Sequence, residues 1–235
     1  MLIDHIGAAV LARLLMVNGL GELDQTNTDA IMQWLSANGA LYGTYTVMRM
    51  IGRVAFPIFC FLLVEGFLHT HDVKKYAMRL GLFALLSEIP FDLAFSSKIL
   101  EFNYQNVFFT LFIGLLTMIA YRAVEEKEEW NQALKVILYI LIVAAGMALA
   151  YFLKTDYAEK GVFCIMVLYI FRKKKMWQLI AGCASFIWET PALFGFIPIA
   201  FYNGTRGWKM KYFFYIFYPA HLLILYLLCY FMGIS

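Results

Sequence analysis

Charge is scarce in this chain. Only 15% of its 235 residues are Asp, Glu, Lys or Arg, where a soluble domain carries about 25%. Proline is sparse too, with five in all, and no Gly/Ser-rich or Pro-rich stretch marks a linker, so residues 1–235 are expected to form one unit. Four cysteines, Cys60, Cys164, Cys183 and Cys229, lie singly within apolar runs. Their spacing suits neither a zinc site nor a disulfide framework, and they read as small buried hydrophobes. HExxH, CxxC, Walker and dinucleotide-binding glycine patterns are missing, and no metal is expected. The net charge is only +3, without the basic face that a nucleic-acid partner would require. Asp4 and His5 stand among the first residues, which does not suit the positively charged start of a cleavable signal peptide.

What the chain has instead is apolar length. It is 63% hydrophobic and 18% aromatic, with a mean hydropathy of +0.71. Apolar runs of about 20 residues are long enough to cross a bilayer as helices. They fall near 2–19, 45–68, 75–96, 104–124, 132–153, 157–171, 176–202 and 211–232. The seventh is broken by Glu189-Thr190-Pro191, so it is either one crossing or two part-spans. The expectation is an all-α polytopic membrane protein, a single bundle of about eight or nine transmembrane helices.

Basic residues in short loops mark the cytoplasmic side. Lys74, Lys75 and Arg79 follow the second run, Arg122, Lys127 and Lys135 the fourth, and Arg172 to Lys175 the sixth. The 20–44 segment carries Glu22, Asp24 and Asp29 and no basic residue, and reads as an external loop. The N-terminus is then inside. The basic segment 203–212 is inside only if the seventh run turns back at Pro191.

Against this background the stretch MRMIGRVAFPIFCFLLVEGF (48–67) is anomalous, because Arg49, Arg53 and Glu65 interrupt a membrane run. An ionised side chain near a span centre costs at least ~2.5–3.5 kcal/mol. Arg49 and Arg53, four apart, share one helix face. Glu88 and Asp92 flank Pro90 in the next run, and Asn106, Glu189 and His221 add single polar groups to three more. Taken singly, each is accounted for by a hydrogen bond between helices. Taken together, they point to a shared polar interior. In a low-dielectric setting His5 is a candidate neutral base, although Asp4, adjacent on a helix and so about 100° away, does not orient it as in a triad. The loop Asn203-Gly204-Thr205-Arg206-Gly207 is either a phosphate-holding turn or a turn carrying topogenic charge.

The blocks IDHIGA, RMIGRVAFPIFCFLLVEGFLHT, KKYAMRL, SEIPFD, DYAEKGV, YNGTRG and FFYIFYPAHLLIL occur in this order from the first residues nearly to the last. In content and order they resemble the TraX family. That family is named for a protein that acetylates the N-terminus of pilin subunits, and it is similar to a wider group of transmembrane acyltransferases. The resemblance implies acetyl-CoA as acyl donor and an envelope acceptor, namely a pilin-like protein, a peptide or a glycan. It implies a bacterial cytoplasmic membrane location. By the matching blocks, it implies a catalytic group of His5, Asp4, Arg49, Arg53 and Glu65. It also implies acetyl-CoA binding by Lys75, Tyr76, Arg79, Asn203, Gly204, Arg206 and Gly207. Asn106, Tyr218 and His221 would support the site or face the acceptor. Relatives carry about ten apolar residues before the Asp-His pair, against three here, which implies an upstream start or a shallow His5.

Two other classes fit the composition. One is a small transporter or flippase, whose polar corridor would pass a solute past the breaks at Pro90 and Pro191. It has no need of a phosphate pocket at Lys74, Lys75, Arg79 and Arg206. The other is a structural assembly factor, for which His5 would be dispensable.

Overall fold

The computed structural model describes residues 1–24, 26–205, 207 and 211–234. Among these the chain is helical, with one isolated bridge between Gln105 and Thr155. It opens with α1 (Leu2–His5), a π-wound segment (Ile6–Leu11) and α2 (Ala12–Val17). Then come α3 (Thr28–Arg53), α4 (Ala55–His69), α5 (Val73–Ser96), α6 (Val107–Glu125), α7 (Gln132–Phe152), α8 (Ala158–Ile170), α9 (Lys175–Ser185), α10 (Phe196–Phe201) and α11 (Lys211–Phe231). Four stretches among the described residues are long and apolar enough to cross a membrane: Thr28–His69, Val107–Glu125, Gln132–Phe152 and Tyr212–Phe231.

Side-chain caps set several of the starts. Asn27, Asp72, Asn106 and Asn131 accept hydrogen bonds from the amides of Ala30, Lys75, Phe108 and Ala133, which satisfies donors that a helix leaves open at its N-terminus. Where helices cross, small residues let backbones approach, as membrane bundles require. A Cβ on Gly114 would stand 2.6 Å from the Ile165 side chain. This seam joins α6 to α8 in a core of Phe67, Met118, Ile165 and Tyr169.

The N-terminal segment runs antiparallel to α3. Gly7 meets Met48 and Arg49, and the Trp34 indole donates to the Asn18 carbonyl at 2.7 Å. The same segment runs beside α11, where the Cys229 thiol reaches the Ala9 carbonyl. Residues from Thr28 onward, expected as external loop, are therefore the first half of a long helix. They are held as a helix by the Asn27 cap and by the segment around α2, where the Trp34 indole reaches the Asn18 carbonyl.

The 176–202 run does not continue in one direction. The Lys175 ammonium at its start donates to the Tyr202 carbonyl at its end. Between α9 and α10 lies a tight 3₁₀ turn, Thr190–Gly195, and Gly195 abuts Pro57 and the Val54 carbonyl where α3 passes into α4. The break at Pro191 is thus the tip of a hairpin that packs on one side against the joint of α3 and α4, with Ile187 and Phe194 exposed on the other. Asn203, Gly204 and Thr205 emerge on the side of Lys175, whereas Arg206 and Lys209 fall outside the described residues. A cysteine at Thr205 is expected to share the labelling behaviour of one at Lys173 when an impermeant reagent is added to intact cells. Labelling of the Thr205 position alone would contradict this hairpin.

Candidate active site

The polar residues collect in two places. The first lies around the joint of α3 and α4. The Arg49 guanidinium donates to the Asp4 carboxylate at 2.5 Å. The contact depends on Gly52, because a Cβ there would overlap the Asp4 side chain. One turn on, Arg53 faces Glu189 at the hairpin tip, 3.7 Å away, and donates to the Tyr157 hydroxyl at 3.4 Å. Asp4 therefore holds an arginine and leaves His5 free for another partner.

That partner is His221. His5 Nδ1 and His221 Nε2 are 2.6 Å apart. The ring planes differ by 1° with centroids 4.9 Å apart, the geometry of a hydrogen bond lying in line with both rings. His221 Nδ1 in turn meets the Phe217 carbonyl at 2.6 Å. Phe95 and Tyr218 stand edge-on to His5 at 5.6 and 5.7 Å. His221 is midway along α11, so His5 lies deep against that helix and not at its end. The π-wound turn Ile6–Leu11 follows His5 directly, and such segments recur at functional positions in helices.

Two clefts open beside Arg53 and Glu189, which line both, and neither is lined by His5 or His221. One, of about 330 Å³, also reaches Arg49, Tyr42 and Tyr45. The other, of about 320 Å³, reaches Tyr104, Asp156, Tyr157 and Trp188. In the second cleft the Tyr104 hydroxyl donates to Asp156 at 2.5 Å, and Tyr157 stacks on Phe56 at 3.6 Å. Tyr157 and Ala158 both take positive φ, 63° and 41°, a conformation uncommon for residues other than glycine. Sequence reasoning quoted the DYAEKGV block without selecting Asp156 or Tyr157. The signal was a polar Asp-Tyr pair in a turn between two apolar runs.

The second collection lies toward the other end of α4. Glu65 is twelve residues beyond Arg53, roughly 18 Å along a helix, so the fold sets it apart from His5. Its carboxylate lies against the Tyr202 phenol, and His69 approaches it at 3.8 Å. Gly66 is covered by the Tyr76 hydroxyl, 2.8 Å from where a Cβ would stand. One turn after Tyr76, Arg79 bonds Tyr215 of α11, and its buried Nε has no partner among the described residues. Lys75 pairs with Asp72 at 3.1 Å, and the hydrogen bond from the Lys75 amide holds the Asp72 carboxyl below its usual range. Asn203 accepts from the Thr205 amide and hydroxyl, with Gly204 at φ 77° in an Asx-type turn. Gly207 is exposed.

Asn106 is fully buried and already engaged. It caps α6 and donates to the Ala84 carbonyl at 2.8 Å and to Glu88. It joins α5 to α6 and does not line either cleft. Asp92 likewise accepts the Glu101 amide at 2.7 Å. Among the described residues no group of three or more His, Cys, Asp or Glu side chains is placed to hold a metal ion.

The family model described as "TraX protein" matches residues 1–229. A probable fimbrial assembly protein, FimC of serogroup H1 from Dichelobacter nodosus, is 28% identical over 212 residues, covering 77% of this chain and 82% of that protein. No solved structure matches the chain.

Proposed function

Because the chain belongs to the TraX family, we propose that it is a membrane-embedded acetyltransferase. It moves an acetyl group from cytosolic acetyl-CoA to an amine or hydroxyl of an envelope acceptor. The observation that carries this reading is the pairing of His5 with His221 beside the Asp4–Arg49 ion pair, with two clefts opening at the neighbouring Arg53 and Glu189. The name of the fimbrial relative favours a pilin-like acceptor, with a peptide or glycan as the other choices. The reading carries with it eight or nine crossing segments in the bacterial cytoplasmic membrane and a cytoplasmic N-terminus.

His5 acts as general base. The acceptor's nitrogen or oxygen attacks the thioester carbonyl and gives its proton to His5. The C–S bond breaks as the tetrahedral species collapses, and the CoA sulfur leaves with the proton returned from His5. In the variant of this scheme with an acetyl-enzyme, the imidazole itself takes the acetyl group first. Arg49 and Arg53 supply positive charge where the oxyanion develops. Acetyl-CoA enters from the Glu65 end, with its phosphates on Arg79, Lys75 and the Asn203–Gly207 turn. The unpartnered Arg79 Nε is a donor suited to an anionic oxygen. The distance from this end to Arg53 is of the order of an extended pantetheine arm.

A transporter reading draws on the hairpin at Pro191, since broken helices line many transport sites. Calorimetry on the detergent-purified protein separates the two. Acetyl-CoA is expected to bind, and Arg79→Ala to weaken binding about tenfold or more, on the scale of a lost charge-assisted hydrogen bond. Lys98→Ala, which removes an exposed partner of Glu101, should leave binding unchanged. No heat at millimolar acetyl-CoA would move the transporter reading ahead.

A further inference from the structure

The hydrogen bonds around His221 determine which nitrogen of His5 is available for chemistry. The Phe217 carbonyl can only accept, so His221 Nδ1, 2.6 Å away, must carry a proton. A neutral His221 then presents Nε2 as a bare acceptor. The atom facing it at 2.6 Å is His5 Nδ1, which must therefore be the protonated nitrogen of a neutral His5. Nε2 of His5 is left with its lone pair. It makes no hydrogen bond among the described residues, and it is not one of the buried side-chain atoms without a partner, so it faces accessible space. A free imidazole prefers the opposite tautomer, with the proton on Nε2.

We propose that His221 is a positioning residue that holds His5 as the Nδ1–H tautomer and so makes His5 Nε2 the acting base. The series Phe217 carbonyl, His221, His5 does the work that a carboxylate does for the histidine of a hydrolase triad, in which orientation and tautomer are set by the partner of the second nitrogen. Two further features bear on this. Asp4, the adjacent acid, is engaged by Arg49 at 2.5 Å and does not reach the ring. Phe217 stacks on His221 with centroids 4.9 Å apart and planes 13° apart, so the residue supplying the carbonyl also fixes the plane of the relay. When Nε2 takes the acceptor's proton, the imidazolium donates from Nδ1 to His221 Nε2 across the same short contact. The tautomer follows from the geometry with His221 neutral. The role as acting base rests on the acetyltransferase reading.

The test is nitrogen-15 NMR of histidine-labelled protein in lipid nanodiscs at neutral pH, with His5 assigned by loss of its signals in His5→Gln. In the unmodified protein His5 is expected to show a protonated Nδ1 and an unprotonated Nε2. In His221→Ala the proton should shift to Nε2, with transfer lowered about 10–10²-fold, the loss typical of removing a group that orients a histidine. His221→Gln, whose amide oxygen can replace Nε2 as acceptor, should keep the Nδ1–H form and most of the activity. A protonated Nε2 on His5 in the unmodified protein overturns the proposal and needs no variant. So does an Nδ1–H form that persists in His221→Ala. The expected spectra in a protein that transfers no acetyl group would leave the tautomer assignment standing and defeat the acetyltransferase reading instead.

Discussion

His5→Ala is expected to abolish acetyl transfer by the purified protein, with a loss of roughly 10²–10⁴-fold if the imidazole is a general base and more if it carries the acetyl group. No other histidine occupies a comparable position. His69 is exposed near the end of α4 beside Glu65, and His221 Nδ1 is committed to the Phe217 carbonyl. An imidazole is also the one ordinary side chain able to exchange a proton near neutral pH. The variant should still insert and fold, because His5 is only half-buried and its helix is held by Asp4–Arg49 and by Ala9 and Val10 against Cys229. Transfer of labelled acetyl groups, together with size-exclusion behaviour in detergent, checks both halves. Loss of transfer in His221→Ala with near-normal transfer in His5→Ala would reverse the two roles.

The second large effect is expected from a single methyl group. Gly52→Ala places a Cβ where the Asp4 side chain lies, close to the backbone of α1 and not at a flexible tip. The N-terminal helix must move away from α3, taking His5 from His221 and Asp4 from Arg49. Overpacking of this kind costs ~1–3 kcal/mol, and misplacement of a reacting group by about 1 Å can cost ~10²-fold in rate. Gly43→Ala is the control on the same helix. A Cβ there meets nothing within 4 Å, and alanine in a helix is favoured over glycine by ~1 kcal/mol. Melting temperature in detergent should fall for Gly52→Ala and hold or rise for Gly43→Ala, and only the former should lose transfer. Equal behaviour of the two would mean that the contact between α1 and α3 does not organise the site.

Much of this could be read before any coordinates. The apolar runs located nearly every helix, because a chain that buries itself in lipid must close its backbone hydrogen bonds within each segment. The break at Pro191 already suggested the hairpin, since proline removes an amide donor and glutamate resists lipid. Residues 28–44 were misread for the converse reason. They are too polar to announce a membrane helix, and they are helical because Asn27 caps them and the segment around α2 packs along them, which is tertiary information. The candidate site was legible as a set of residue types but not as a set of pairs. Asp4 with Arg49, Arg53 with Glu189 and His5 with His221 join positions between 45 and 216 residues apart, and no periodicity encodes such partners. Glu65 shows the limit from the other side. The block resemblance grouped it with His5, while the length of α4 carries it to the opposite end. Asp156 and Tyr157 went unselected because their placement depends on two positive-φ residues that only the folded turn reveals.

The central claim is that this chain transfers acetyl groups across its own polar interior, and one measurement addresses it most directly. The purified protein is reconstituted in lipid vesicles with envelope material from cells that lack it. Acetyl-CoA labelled in the acetyl group is supplied on the face bearing Lys173 and Thr205, and the products are examined by mass spectrometry. The account predicts protein-dependent label on an amine or hydroxyl of an envelope component, absent with His5→Ala. A folded, acetyl-CoA-accessible preparation that leaves every envelope component unlabelled would contradict it.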